Sequence, residues 1–159
     1  MSNPRAIRRR AGYTFIEILV VMIIVGLLVK IAFPRWNEMK RQAIAGKVAG
    51  DFHAVKLASY AFHTEQQQWP AEQPAGVVPP ELAPDLPEGF SFDRIEYGLD
   101  WENWQLPNGL PQFPQRRMLM ALTVTSNDSV LARTIENKLG SRTLHFSSGN
   151  STTFVIVEQ

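Results

Sequence analysis

Residues 12–33 read GYTFIEILVVMIIVGLLVKIAF, and the fold turns on how this stretch is interpreted. As a helix, residues 13–33 would span roughly 31 Å, about one hydrocarbon core. The uninterrupted apolar run, Ile18 to Val29, is only as long as a signal-peptide core. A membrane crossing therefore requires Glu17 and Lys30 to be tolerated near its ends. Lys30 can extend its stem to the headgroups, and Pro34, Arg35 and Trp36 mark the nearby interface. Glu17 is a different case, because an acid one turn inside an apolar segment costs on the order of a few kcal/mol unless a cation meets it.

The flanking signals suggest a source for that cation. The segment Met1 to Gly12 contains Arg5, Arg8, Arg9 and Arg10 and no acid. A secretory signal places its small-residue cleavage site after the apolar core, whereas here the glycine precedes it. Gly12 gives a processing enzyme a flexible backbone without a side chain to clash. Cutting after Gly12 frees an amine on Tyr13, four residues before Glu17 and one helical turn away. The two charges can then meet within one chain or between neighbouring chains.

Gly12-Tyr13-Thr14-Phe15-Ile16-Glu17, followed by the apolar run, resembles the class III signal of type IV pilins and type II secretion pseudopilins. The resemblance implies cleavage between Gly12 and Tyr13 by a membrane-embedded prepilin peptidase, N-methylation of Tyr13, and retention of the helix in the processed protein. It implies that Glu17 assists assembly by neutralising the terminal amine of an adjacent subunit, and that Pro34 bends or loosens the long helix. The implied partners are other pilin or pseudopilin subunits, an inner-membrane assembly platform with a separate ATPase, and membrane lipid. The implied location is the bacterial inner membrane, crossed once, with the C-terminal domain in the periplasm or outside the cell. Four leader arginines face Arg35, Lys40, Arg41 and Lys47 beyond the other end, so loop charge gives nearly a tie and orientation follows from the resemblance.

From Trp36 to His63 an amphipathic pattern takes over, with Trp36, Met39, Ala43, Val48, Phe52, Val55 and Phe62 at mostly helical intervals. Joined to the apolar segment, it makes a helix of about 50 residues, too long for a compact domain to bury. Gly46 and Gly50 weaken it by roughly 1 kcal/mol each relative to alanine while permitting close approach of another helix. Nine of the 11 prolines lie between Pro70 and Pro114, favouring turns and extended backbone. Ile95, Tyr97, Leu99 and Trp101 alternate with Glu96, Gly98, Asp100 and Glu102, a strand with one apolar and one acidic face. Met118 to Thr125 reads as a second strand, and Leu144 to Phe146 with Phe154 to Val157 as a hairpin around Ser148-Gly149-Asn150. Asn127-Asp128 caps a short helix over about residues 128–139, with Leu131, Ile135 and Leu139 on one face and Gly140 at its end.

The expected fold class is thus α+β: a long N-terminal helix, membrane-spanning in its first half, packed on a small antiparallel sheet with one short extra helix. The pilin resemblance implies the same lollipop arrangement. The expected divisions are a cleaved leader at 1–12, a transmembrane and assembly helix at 13–33, its amphipathic outer half at 34–69, and a proline-rich loop with the sheet at 70–159.

Composition narrows the chemistry. At 159 residues and 18.0 kDa, the chain holds one compact domain plus accessories. With no cysteine, disulfides, thiolate metal sites and cysteine nucleophiles are excluded. The net charge of +1 averages unlike pieces: without the four leader arginines the rest carries about −3, and residues 61–105 carry nine acids against Arg94 alone. A uniform nucleic-acid-binding surface does not fit this distribution. His53, His63 and His145 are scattered without metal-ligand spacing. Glu81, Asp85, Glu88, Asp93, Glu96, Asp100 and Glu102 include conceivable calcium ligands, yet without EF-hand spacing they read as a solvated acidic face. No phosphate-binding glycine loop or serine elbow occurs, so neither an enzyme nor a cofactor is expected. The alternatives are a minor pilin that binds DNA or a surface, using Arg116-Arg117 with Trp101, Trp104 and Phe113, and a signal-anchored enzyme without a recognisable motif.

Overall fold

The computed structural model describes residues 12–106, 118–141 and 143–158. The leader up to residue 11, Phe113, Arg116 and Arg117 lie outside these described residues. Helix α1, Phe15–Gln66, runs for 52 residues and passes through Pro34. A proline there removes the N–H that the Lys30 carbonyl would otherwise accept, but the helix continues on both sides.

The chain divides into two units between Met39 and Lys40. Within the described part of the first, the apolar side chains face outward along the helix, with Leu28 and Phe33 each 62% exposed. Among the described residues, α1 is the one helix long and apolar enough to cross a membrane. Such a surface needs lipid or protein around it, since exposing it to water forfeits the burial free energy of every leucine and isoleucine.

The second unit, Lys40–Gln159, is the expected α+β domain. Strands β1 (Tyr97–Gln105), β2 (Met118–Ser126), β3 (His145–Ser148) and β4 (Ser151–Glu158) form one antiparallel sheet in the order β1-β2-β4-β3. The outer half of α1 presents Ala45, Val48, Phe52, Val55 and Ala58 at helical spacing. These meet Leu99 and Trp101 of β1, Leu122 and Val124 of β2, and Phe154 of β4 in one buried cluster. The register aligns them: Leu99 faces Val124, Trp101 faces Leu122, and Leu122 faces Phe154. A register shift between Met120 and Ala121 skips Ile156 on β4. This bulge lets both Ile156 and Val157 reach the core, and the Tyr60 hydroxyl donates to the Ile156 carbonyl at 3.4 Å.

Glycine 46 and glycine 50 do not serve a close helix contact inside this domain. Among the described residues, a Cβ on Gly46 would meet the Lys138 ammonium at 3.6 Å, and one on Gly50 would have no neighbour within 4 Å.

Three local expectations are revised. Ile95 does not belong to the apolar face of β1; it is 92% exposed. The chain folds back before the strand, with an Asp93–Gly98 bridge and the Arg94 N–H donating to the Tyr97 carbonyl at 3.1 Å. Ile95 sits at the tip of that turn, where side-chain alternation no longer refers to the sheet. The strand instead continues to Gln105. In the hairpin, β3 starts one residue later than expected, at His145, and extends to Ser148, leaving Gly149 with φ of 61° in the two-residue turn.

Gly140 is the third. Helix α2, Ser129–Leu139, starts as expected on Asp128, whose carboxylate accepts from the Val130 N–H at 2.9 Å. It ends at Gly140 with φ −65° and ψ −22°, right-handed backbone available to any residue. What requires glycine is space: an added Cβ would lie 2.5 Å from His145 Cε1 and 2.6 Å from the Glu136 carbonyl oxygen. Gly140→Ala should therefore destabilise the domain by about 1–3 kcal/mol, seen as a lower denaturation midpoint with an unchanged slope. A midpoint equal to that of wild type would show that the His145 ring moves aside freely.

Candidate functional site

The candidate residues at the start of the chain occupy the first turn of α1 and the approach to it. Gly12, Tyr13 and Thr14 precede the helix, which begins at Phe15. The Glu17 N–H donates to the Thr14 hydroxyl at 3.3 Å and to its carbonyl at 3.1 Å. Thr14 therefore caps the helix and Glu17 occupies the third helical position, as in the S/T-x-x-E capping pattern. A carboxylate there also lies near the positive end of the helix dipole, a favourable interaction of about 0.3–1 kcal/mol. That offsets part of the penalty assigned to an acid in an apolar segment.

Tyr13, Phe15, Ile16 and Glu17 are all exposed in this chain. Because Tyr13 lies before the helix, the spacing from its amine to Glu17 is not set by helical backbone at that end. Thr14 is the residue sequence reading missed, although its spacing from Glu17 is a recognisable signal. Pro34 lies inside α1, distant from this turn in sequence.

Within the second unit, polar links tie α1 to the rest of the domain. Arg41 Nε donates to Asp128 Oδ2 at 3.0 Å. This hydrogen bond, with the capping N–H of Val130, holds the Asp128 carboxyl below the usual carboxylate range. Asp51 Oδ2 accepts from the Tyr97 hydroxyl at 2.5 Å and lies 3.4 Å from an Arg94 nitrogen. Burial, and then the hydrogen bond to Asp51, push the Tyr97 phenol upward, so it remains the donor. Arg94 also lies over the Phe90 ring, 5.4 Å from its centroid. These residues face one another only after the proline-rich interval has folded back.

The acidic face splits into different environments. Asp100 has its carboxyl pushed up to about 6, mainly by burial and further by Glu102 and Glu72. Glu102 accepts from the Thr123 hydroxyl at 2.9 Å, and Thr123 bonds Thr153 at 2.8 Å. Folding raises the Asp100 carboxyl above its ordinary range, so the folded state binds more protons between pH 4 and 6. Stability from this group falls as pH rises through that window. Asp100→Asn should thus raise the melting temperature at pH 7, leave it nearly unchanged at pH 4, and flatten the profile between them. An equal shift at both pH values would remove the carboxyl's protonation from the explanation.

Among the described residues, no three His, Asp or Glu side chains converge to hold a metal. His63 stacks on Trp69 at 4.1 Å between centroids, His145 packs beside Phe154, and His53 is exposed. Trp101 is fully buried and its indole N–H donates to the Pro70 carbonyl at 3.1 Å, so its face is not open to a base. Trp104 stacks instead on Phe146, with centroids 5.9 Å apart.

The family described as "Prokaryotic N-terminal methylation motif" matches residues 7–32. The type IV narrow pilus major component PilA5 of Thermus thermophilus is 41% identical over 58 residues, which are 36% of this chain and 49% of that protein. The type IV major pilin protein PilE1 of Neisseria gonorrhoeae is 30% identical over 69 residues, 43% of this chain and 32% of that protein. The type II secretion system core protein G of Klebsiella pneumoniae is 28% identical over 104 residues, 60% of this chain and 74% of that protein. The chain thus spans from about a third to half of the two pilins' lengths. No solved structure matches at the same level of significance.

Proposed function

We propose that this chain, which carries the N-terminal methylation motif and is similar to type IV pilins and type II secretion pseudopilins, is a structural subunit of a type IV pilus or a secretion pseudopilus. Its work is mechanical rather than catalytic. The observation that carries this reading is the Gly12-Tyr13-Thr14-Phe15-Ile16-Glu17 signal running directly into a helix with an exposed apolar surface.

In this reading a prepilin peptidase removes residues 1–12, Tyr13 becomes the methylated terminus, and α1 anchors the subunit in the inner membrane. An assembly platform powered by a separate ATPase then extracts it into a filament with other subunits. Apolar helix surface exchanges lipid contacts for protein contacts at little loss of dispersion energy, while Glu17 meets the terminal amine of a neighbour. Pro34 supplies the point at which the helix loosens during this transfer, since the Lys30 carbonyl lacks its usual partner. The second unit remains on the water side of the membrane.

A finer reading favours the secretion branch. The alignments with core protein G cover 99–104 residues, against 58–69 for the two pilins. A match of that extent cannot be supplied by the 52-residue helix alone.

Mass spectrometry of the native protein tests the proposal. The expected N-terminus is Tyr13 carrying one added methyl group. Retention of Met1 to Gly12 in cells with an active prepilin peptidase would remove the basis for the assignment.

A further inference from the structure

Where α1 ends, the chain reverses sharply. Gln67 has a φ of 54°, in the left-handed region that glycine usually occupies, and its N–H donates to the His63 carbonyl at 2.9 Å. The reversal lays Trp69 against the last turn of the helix. Its indole stacks on the His63 ring, with centroids 4.1 Å apart and planes 4° from parallel. Pro70 then reaches β1, where its carbonyl accepts from Asn103 Nδ2 at 2.8 Å. Between these elements lies a cleft of about 360 Å³ whose lining includes His63, Gln68, Trp69, Asn103, Gln105 and Met118. That volume falls at the small end of the range for small-molecule sites.

Two side chains of the cleft each carry a buried polar atom without a hydrogen-bond partner, His63 Nδ1 and Asn103 Oδ1. Such atoms are costly to leave unpaired, and two beside one cleft point to an occupant. Both are held in place. The stack on Trp69 fixes the plane of the imidazole. The Pro70 carbonyl can only accept, so it takes the Asn103 amide nitrogen and leaves Oδ1 as the atom to be satisfied.

The chemistry of the lining selects the occupant. Among the described residues it offers amides, an imidazole, an indole and a thioether, but no carboxylate, ammonium or guanidinium. An ionic ligand would find no opposite charge there to offset its desolvation. Asn103 Oδ1 needs a donor, and His63 Nδ1 donates or accepts according to its tautomer. A hydroxyl suits both atoms because it does either. The C–H groups of a sugar ring suit the indole and the thioether beside them.

We propose that this cleft binds a neutral saccharide, with one hydroxyl donating to Asn103 Oδ1 and another paired with His63 Nδ1. Neither atom touches solvent in this arrangement, so the sugar enters by displacing the exposed arms of Gln68 and Gln105. The inference goes beyond the filament reading and does not depend on it, since every residue involved belongs to the second unit.

The test is saturation-transfer difference NMR on the full chain in micelles of lauryldimethylamine oxide, a detergent without a sugar headgroup. The probes are maltose, cellobiose, lactose and chitobiose, with a glucuronate-containing disaccharide and a blocked trialanine peptide for comparison. The expected result is saturable transfer to at least one neutral disaccharide and none to the charged one. His63→Phe keeps the stack on Trp69 and removes Nδ1, and Asn103→Leu removes Oδ1. Each should weaken binding by roughly tenfold or more. His63→Phe should also leave the melting temperature equal or higher, because an apolar ring replaces an unpaired buried nitrogen.

No saturable transfer to any neutral disaccharide would overturn the proposal. So would undiminished binding by either variant, which would place the sugar elsewhere, or tighter binding of the glucuronate disaccharide, which would point to a cation. A preference for the peptide would give the cleft to a polypeptide and also overturn it. A fall in the melting temperature of His63→Phe would mean that Nδ1 is already satisfied in the folded chain, with the same consequence. None of these outcomes touches the methylated N-terminus or filament yield, so failure here leaves the filament reading standing.

Discussion

Glu17→Gln is expected to abolish filament formation while leaving the subunit in the membrane and residues 40–158 folded. The substitution keeps the size of the side chain and its capping chemistry, since glutamine also serves at the third helical position of a capping box. Thr14 would continue to accept the N–H of residue 17, as it does at 3.3 Å in the parent chain. What disappears is the negative charge available to a neighbour's terminal amine. Leaving that amine unpaired in an apolar interface is worth about 3 kcal/mol or more, roughly a 100-fold weaker contact. Membrane insertion should not suffer, because removing an acid lowers the insertion penalty. Counting sheared filaments alongside membrane-bound monomer separates the two effects. Equal polymer yield from Glu17→Gln and wild type would dispose of the charge-pairing account.

Trp101→Ala is expected to produce the largest loss of domain stability, about 3–5 kcal/mol. The indole is fully buried, faces Leu122 across the β1–β2 register, and donates to the Pro70 carbonyl. Its removal opens a cavity where the helix, the sheet and the proline-rich segment meet. The Pro70 carbonyl keeps a partner in Asn103 Nδ2 at 2.8 Å, so the loss is chiefly one of packing. Thermal unfolding followed by near-ultraviolet circular dichroism should show the midpoint falling by about 10–20 °C. Trp104→Ala should shift it much less, because that ring is only partly buried on the other face of the sheet. Comparable shifts for the two tryptophans would contradict the placement of Trp101 at the centre of the core.

The contrast between these tryptophans shows what local pattern can convey. Trp101 continues the alternation of Tyr97 and Leu99, so its inward direction is readable from residues two and four positions away. Trp104 is one step out of that phase and falls on the opposite face, where its partner Phe146 comes from a strand that is not its neighbour. Nothing in the local period announces that pairing. Ile95 obeyed the period and was misplaced by it, because a hairpin-like reversal stands between it and the strand.

Short-range physics therefore determined the elements of this protein from the sequence alone. Apolar length marks the first half of α1, helical spacing its second half and α2, and alternation with turn chemistry the strands. Each depends on residues within a few positions of one another. The candidate assembly segment belongs to the same category, since Gly12, Thr14 and Glu17 lie within six residues of one another. Tertiary structure alone decided the pairings that fasten α1 to the domain: Arg41 with Asp128, 87 residues apart, and Asp51 with Tyr97, 46 apart. It also decided why position 140 is glycine, because the ring that occupies its Cβ space arrives from β3. Such contacts exist only once the chain has closed its loops, and the loop-closure entropy that opposes them leaves no mark on nearby residues.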